Sequence, residues 1–246
     1  MKRKALIIYC NDTPSGELRG PYQDAVNLRT FLMSMLGGEW YESEIGFLKN
    51  PTSALVRQAV RTYLSGADYT FVVFSGHGFI NTDENNRQYI ELADDSIPIG
   101  SLISKAPRQT MIIDACRGYY SPTRASLSVF EGIGDIHHFE EASTRQIFDN
   151  AVLKAEKGLT IMYAASRNES ALDTNKGGAY LFSLIAYANR WEKTNRKFRV
   201  LPLNTANTRA TELMHQTFET IQNPVINAEK RINHFPFAVM YPLNWG

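Results

Sequence analysis

Two residues that could form a nucleophilic pair each follow an apolar run of the chain. Cys116 stands three residues after the run 111–113 (MII), and His77 stands three residues after the run 71–74 (FVVF). Both runs are bounded by polar residues, which is typical of a short strand buried on both faces. Parallel neighbouring strands end at one edge of a sheet, so we expect the imidazole to lie beside the thiol. A thiol next to a general base is an activated nucleophile.

Each residue alone has an ordinary interpretation. A single Cys after an apolar strand is most often a small buried hydrophobe, and a His between glycines is most often a turn residue. The pairing favours catalysis, because Gly76 and Gly78 on either side of His77 allow close approach of backbone. The amides of Gly78 and Cys116 are then candidates for an oxyanion hole.

Length and composition restrict the class of protein. The chain has 246 residues, a formal net charge of +1 and two cysteines, Cys10 and Cys116, which match no zinc or CxxC pattern. The basic start MKRKALIIYC has too short an apolar run for a signal peptide, and no stretch is long enough for a membrane span. These features predict a cytoplasmic protein with free thiols and without nucleic-acid or membrane partners.

Strand and helix patterns alternate along the chain. Their order predicts a parallel sheet covered by helices on both faces, with ligands beyond the carboxyl ends of the strands. The predicted strands are 5–10, 41–48, 71–74, 88–92, 111–113, 159–165 and, as a sixth strand of the sheet, 236–241. The predicted helices are 21–36, 51–65, 97–103, 179–188 and 205–221.

Several motifs resemble one family. The segments SGHG (75–78) and DACRG (114–118) resemble the caspase-like cysteine peptidases, and more closely the metacaspases and prokaryotic orthocaspases. The segment LRGPYQDAVNLRTFL is similar to the metacaspase segment that opens the first helix, with Pro21 in place of a Cys and Gln23 in place of an Asn. His77 precedes Cys116 by 39 residues, whereas caspases place the His about 50 residues upstream.

The resemblance implies a caspase-like three-layer α/β/α sandwich with a mostly parallel six-stranded sheet. It implies one peptidase domain over 1–246, with a large-subunit-like part (1–117), a linker-like loop (118–157) and a small-subunit-like part (158–246). A Cys116–His77 dyad would act as nucleophile and general acid and base. A monomer is expected rather than a dimer.

Substrate preference follows from the same resemblance. Metacaspases carry acids in the pocket for the residue before the scissile bond, and the matching positions here are Asp24 and Asp114, with Ser75 on the wall. Asp114 stands where caspases carry Gln. Ser166 opens the segment AASRNESALD, which is similar to the family's substrate-binding loop. The expected substrate is a polypeptide cleaved after Arg or Lys.

Both acids keep an alternative interpretation. Asp24 is also suited to a helix N-terminus, where the macrodipole contributes about 0.3 to 1 kcal/mol. Asp114 is also suited to accepting hydrogen bonds from loop amides. Agreement between two independent positions favours the pocket.

The segment 118–157 has no strong period, and long irregular segments are often functional. In caspase-like enzymes this position is often cut by the enzyme itself, so the basic residues there are candidate scissile positions: Arg124, Arg145, Lys154 and Lys157. The pair His137-His138 fits a surface loop better than a metal site.

No cofactor is predicted. Metacaspases often bind calcium through a carboxylate cluster, for which Asp83, Asp94 and Asp95 are the candidates, although a solvated turn is the better interpretation. Two other functions stay open: a catalytically silent caspase-like scaffold and a nucleotide-binding module. The latter is disfavoured because the sequence has neither a dinucleotide fingerprint nor a P-loop.

Overall fold

Six strands form the central sheet of this computed structural model, which describes residues 1–119, 143–195, 199–228 and 230–241. They are β1 (Arg3–Tyr9), β2 (Ile45–Lys49), β3 (Tyr69–Ser75), β4 (Arg108–Asp114), β5 (Gly158–Tyr163) and β6 (Val225–Asn227). The sheet order is β2-β1-β3-β4-β5-β6, with β1 to β5 parallel and β6 antiparallel to β5. The predicted mostly parallel six-stranded sheet is confirmed.

Helices cover both faces of this sheet. They are α1 (Gly20–Met33), α2 (Ser53–Thr62), α3 (Thr144–Lys154), α4 (Ala179–Thr194) and α5 (Leu203–Phe218). One buried core joins the sheet to α1, α3, α4 and α5, and we call this side the α1 face. A second core joins the sheet to α2 on the opposite side, which we call the α2 face. The chain is therefore an α/β/α sandwich, as its alternating pattern predicts.

Local sequence explains these elements. Every residue of β3 is buried, and its aromatic and β-branched side chains suit a strand packed on both faces. Helix α1 buries Leu28, Phe31 and Leu32, whose spacing of three and four residues places them on one side of the helix. Helix α2 begins after Thr52, whose hydroxyl accepts a hydrogen bond from the Leu55 amide at 3.3 Å.

Several short elements lie outside the central sheet and the five helices. Two 3₁₀ turns span Glu42–Glu44 and Ile99–Leu102. A three-stranded antiparallel sheet follows His77 and is formed by Gly78–Asn81, Arg87–Glu91 and Ser96–Pro98. The remaining pairs are Asp12–Thr13 with Gly16–Glu17, Asp173–Thr174 with Gly177–Gly178, and Val200–Pro202 with Pro236–Val239. No helix among the described residues is long and apolar enough to cross a membrane.

One strand assignment is wrong. The sixth strand of the sheet was predicted at 236–241, but Pro236–Val239 pairs with Val200–Pro202 in a separate two-stranded sheet. The sixth strand is β6, in which Val225 and Asn227 are exposed. A fully buried apolar run predicts a strand well, but it does not tell which partner the strand pairs with.

The predicted loop 118–157 also needs correction, because its residues 144–154 form helix α3. Phe148 and Val152 lie one turn apart on α3 and pack into the core of the α1 face. Residues 120–142 lie outside the described part of the chain. The division into large-subunit-like and small-subunit-like parts stays a prediction.

Candidate active site

The register of β3 and β4 places His77 and Cys116 at the same edge of the sheet. Ser75 lies directly opposite Asp114 in the parallel pair, and His77 and Cys116 each follow two residues later. Gly76 N donates a hydrogen bond to Asp114 O at 3.1 Å, which keeps the two chains together just beyond the strands. The structure therefore puts the two predicted dyad residues on adjacent chain segments.

His77 has an uncommitted ring nitrogen. Its Nε2 is buried and has no hydrogen-bond partner among the described residues, while its carbonyl accepts from Glu91 N at 3.0 Å. A buried nitrogen without a partner is costly, so such groups are usually explained by function or by a missing ligand. Here the free nitrogen is available to exchange a proton with a group that enters the site.

Gly78 lies against the backbone of the nucleophile. A Cβ atom at Gly78 would lie 3.2 Å from Cys116 O and 2.9 Å from the side chain of Ala115. Any larger residue would push the two segments apart. Gly78 and Cys116 are thus backbone neighbours, and their role as an oxyanion hole stays a prediction.

The Cys116 thiol contacts the loop that follows β5. Ala171 N donates to Cys116 Sγ at 3.3 Å, and Sγ lies 3.7 Å from Ala171 O. Burial raises the pKa of the Cys116 thiol, while the Ala171 amide and the Ser170 hydroxyl act in the opposite direction. Burial therefore favours the protonated form of the thiol, which this loop partly covers.

Asp24 and Asp114 come together with Ser75 on the α1 face. Asp24 is 3 % exposed and Asp114 is 5 % exposed. Ser75 Oγ donates to Asp24 Oδ2 at 2.6 Å, and Gly178 N donates to both oxygens of Asp24 at 2.9 and 3.0 Å. The Leu181 amide, in the first turn of α4, donates to Asp114 Oδ2 at 3.1 Å. We call Asp24, Asp114 and Ser75 the acid cluster.

The acid cluster does not hold two full negative charges at neutral pH. Burial raises the pKa of Asp114 to about 7, although the Leu181 amide opposes the shift. Burial and the neighbouring Asp114 raise the pKa of Asp24 well above its ordinary value. Two buried carboxyls that share a site cannot both ionise cheaply, so the raised pKa values favour a cluster that keeps a proton.

A hairpin of residues 173–178 closes the acid cluster, and we call it the closing hairpin. Asp173 pairs with Gly178, and Thr174 pairs with Gly177. A Cβ atom at Gly178 would lie 2.5 Å from Asp114 Oδ2, so the bare glycine fills the space in front of the carboxylate. The hairpin therefore lies between the two acids and any group that would approach them from this side.

Asp173 is a site residue that the sequence analysis did not single out. Its Oδ1 accepts from Gly20 N and its Oδ2 from Arg19 N, both at 3.0 Å, so it fastens the closing hairpin to the start of α1. Burial raises the pKa of Asp173, while those amides and the charge of His77 lower it. The segment AASRNESALD contains Asp173, but its amide partners lie about 150 residues upstream and have no local signal.

Other predicted residues lie away from the acid cluster. Ser166 donates its hydroxyl to Asn223 O at 3.0 Å. Arg145 lies in the first turn of α3 and pairs with Glu44 at 2.6 Å. Lys154 is the last residue of α3, and Lys157 precedes β5. Arg124 lies outside the described residues.

Two of the three carboxylates considered for calcium, Asp94 and Asp95, accept hydrogen bonds from nearby residues. Asp94 accepts from the amide of Ser53 at 2.7 Å and from its hydroxyl at 3.2 Å, so it caps the start of α2. Asp95 accepts from Ser96 N at 2.7 Å. The described residues contain no group of three or more His, Cys, Asp or Glu side chains that could hold a metal ion.

The fold is caspase-like. The structure is similar to the crystal structure of caspase-1 from Spodoptera frugiperda, with a TM-score of 0.61 and 16 % identity over 92 % of this chain and 88 % of that chain. At this identity the likeness concerns the fold. The chain matches no sequence among the curated proteins.

The family model described as the caspase domain of the C14 peptidases matches residues 2–235. The chain therefore belongs to the caspase-domain peptidase family.

Proposed function

We propose that this protein is a cysteine endopeptidase, allied to the metacaspases within its family, that cleaves polypeptides after Arg or Lys. One observation carries the proposal: the β3–β4 register brings the chain positions of His77 and Cys116 to the same edge of the sheet, next to the acid cluster. A pseudoenzyme scaffold would need neither the dyad nor buried acids.

The reaction uses groups already at this edge. The Cys116 thiol gives its proton to His77, and the sulfur attacks the peptide carbonyl carbon to form a C–S bond. The carbonyl oxygen becomes an oxyanion held by the amides of Gly78 and Cys116. His77 then protonates the leaving amine as the C–N bond breaks. A water molecule, deprotonated by His77, hydrolyses the thioester and releases the Cys116 thiolate.

Recognition of a basic residue follows from the acid cluster. A substrate guanidinium or ammonium would replace the Gly178 amide on Asp24 and supply the positive charge that lets Asp114 ionise. Charge-assisted hydrogen bonds of this kind are roughly twice as strong as neutral ones, and the planar Arg fork can pair with carboxylates in two places. An Asp side chain would instead add a third carboxyl to two buried ones, bring no positive charge to them, and be rejected.

The described conformation is a resting state of this enzyme. Productive binding requires the closing hairpin to lift from the acid cluster and the Ala171 amide to leave the Cys116 thiol. Both contacts belong to one continuous loop, 171–178, so one movement releases both. Asp173 restrains that movement through its two hydrogen bonds to the start of α1.

Hydrolysis of matched fluorogenic peptides tests the proposal. The wild-type protein should cleave a peptide ending in Arg before the reporter and leave the matching Asp peptide intact. Cys116→Ala and His77→Ala should each abolish cleavage, because they remove the nucleophile and its base. Cys10→Ala is the control, since it removes the other thiol, which is fully buried in the core of the α2 face. Undiminished cleavage by Cys116→Ala would refute the assignment.

A catalytically silent scaffold is the second candidate. The observation in its favour is that the thiol and both acids are covered by the loop 171–178. A scaffold would keep this cover in the presence of an Arg-containing substrate, whereas an enzyme would open it. Covalent labelling of Cys116 separates the two functions.

Self-processing in the 118–157 segment is part of the proposal. Lys157 is the best placed of the described candidates, because it lies between α3 and β5 and not inside a helix. Arg145 would have to break its ion pair with Glu44 and leave the first turn of α3 before it could enter an active site. Mass spectrometry of the stored wild-type protein beside Cys116→Ala identifies any position that the enzyme cuts.

We further propose a monomeric, cytoplasmic enzyme that works without a cofactor. The two cysteines are both free thiols, which suits a reducing compartment. The proposed chemistry needs only the dyad, two backbone amides and water. Sedimentation, and activity measured with and without calcium or a chelator, test the monomer and the absence of a cofactor.

A further inference from the structure

A cavity of about 470 Å³ lies on the α2 face of the sheet, across β4 from the acid cluster. Its size is within the range of pockets that hold small ligands. Three arginines line it, and we call it the arginine cavity. Its lining residues are Asn86, Arg87, Gln88, Pro98, Ile99, Gly100, Arg117, Tyr163 and Arg167.

Arg117 supplies a buried positive charge to this cavity. It is 8 % exposed, its Nε donates to Gln88 Oε1 at 2.8 Å, and its Nη1 donates to Ala165 O at 3.2 Å. The guanidinium also stacks on Tyr163, 4.0 Å from the ring centroid. All three neighbours are uncharged, and burial lowers the pKa of Arg117.

No ion pair compensates this charge within the described part of the chain. The nearby carboxylate of Glu169 attracts Arg117 only weakly, since its oxygens accept from Ser166 N and from Asn223. A buried charge without an ionic partner is costly, and arginine cannot lose its proton to avoid the cost.

Two further arginines add to the charge. Arg167 is exposed, and its charge contributes to lowering the pKa of Arg117. Arg87 is exposed as well, and its one ion pair, with Glu84, is 4.0 Å long between two exposed side chains. Such a pair contributes little. Gathering three like charges around one cavity is unfavourable unless an anion binds there.

We propose that the arginine cavity binds a small phosphate-bearing anion. The guanidinium fork matches the oxygens of a phosphate group, and three forks suit a group with more than one negative charge. Pro98, Ile99 and Tyr163 give the cavity an apolar wall beside the arginines. The site shares no side chain with the acid cluster, and it does not depend on the proposed peptidase activity.

Calorimetric titration at constant ionic strength tests this site with three probes: inorganic phosphate, pyrophosphate and ATP. We expect the wild-type protein to bind at least one of them. Tighter binding of pyrophosphate or ATP than of inorganic phosphate would indicate that the natural ligand is a larger phosphate-bearing molecule. Arg167→Gln should weaken binding by about tenfold, which corresponds to about 1.4 kcal/mol. Arg167 is the residue of choice because it is exposed and its loss leaves the core intact.

Two further variants make the test specific. Arg190→Gln removes an exposed arginine from α4 outside the cavity, and it should bind as the wild type does. Arg117→Lys keeps the charge but loses the planar fork, and it should bind more weakly; its thermal unfolding is checked in parallel. The proposal is overturned if none of the probes binds at millimolar concentration, or if Arg167→Gln and Arg190→Gln bind them equally well.

Discussion

Buried charge is handled in opposite ways on the two faces of the sheet beside Cys116. On the α1 face, Asp24 and Asp114 accept hydrogen bonds from Ser75 and from backbone amides, and they hold a proton at neutral pH. On the α2 face, Arg117 donates to uncharged oxygens and stacks on an aromatic ring. A carboxyl can become neutral by binding a proton, whereas a guanidinium keeps its charge.

The difference gives each region its own response to a ligand. Under the proposed function the acid cluster would exchange its proton for a cation, so binding there would depend on pH. The arginine cavity would bind the proposed anion without any change in its own protonation. Substitutions in the acid cluster should therefore change peptide cleavage without changing anion binding, and substitutions in the arginine cavity should do the reverse.

The largest effect is expected from Asp114→Asn. This variant removes one of two buried carboxylates that would pair with a substrate cation, and breaking such a pair costs about 2 to 5 kcal/mol. We expect kcat/KM for the Arg peptide to fall by about a thousandfold, while binding of phosphate probes stays unchanged. The matched control is Asp12→Asn, an exposed acid outside the cluster. A decrease in kcat/KM of less than threefold would show that Asp114 does not contribute to substrate recognition.

A smaller effect concerns stability and pH. The pKa of Asp114 is about 7 in the resting structure, against an ordinary value of 3.8. The folded protein therefore holds a proton that the unfolded chain releases, so this group loses its stabilising contribution as the pH rises from about 4 through 7. Between those values the free energy of unfolding should fall by about 2 to 4 kcal/mol.

Urea unfolding of the wild type and Asp114→Asn across this pH range reports the joint titration of Asp114 and Asp24, because the titrating groups outside the acid cluster are common to both proteins. The difference in unfolding free energy should favour the variant increasingly as the pH rises. Parallel curves for the two proteins would show that Asp114 titrates normally.

Gly178→Ala should have the smallest effect of the three. Its methyl group would overlap the Asp114 carboxylate, so the closing hairpin must shift, at a cost of about 1 to 2 kcal/mol in stability. The shift should also uncover Cys116, which we expect to react several times faster with iodoacetamide. Gly100→Ala is the control, because a Cβ there meets no atom within 4 Å. Equal alkylation rates in Gly178→Ala and Gly100→Ala would show that the closing hairpin does not limit access to the Cys116 thiol.

The features that the sequence predicts well are those with a local signal. The apolar runs before His77 and Cys116 predict two strands, and the polar residues after each run predict that the site lies at the carboxyl ends of those strands. Helix α3 has a weaker signal, since only Phe148 and Val152 mark its buried side at a spacing of four residues. The sixth strand β6 is short and partly exposed, so a longer buried run is easily mistaken for it.

The parts of the site that the sequence does not predict depend on contacts between distant segments. Asp173 accepts hydrogen bonds from two backbone amides at the start of α1. Neither the residue types nor their spacing in the sequence indicates that these groups are partners. The arginine cavity joins Arg87, Arg117 and Arg167, which lie on three different segments. The closing hairpin depends on Gly178 fitting against two carboxylates, which only the folded chain defines.

Covalent labelling tests the central claim most directly. The protein is treated with a thiol-reactive inhibitor that carries an Arg recognition group, and in parallel with the same inhibitor carrying Asp, and intact and peptide masses are recorded. We predict one adduct on Cys116 with the Arg compound, none with the Asp compound, and none in Asp114→Asn at the same exposure. Equal labelling by both compounds, or labelling at Cys10 alone, would contradict the claim that Cys116 is the nucleophile and that the acid cluster selects a basic residue.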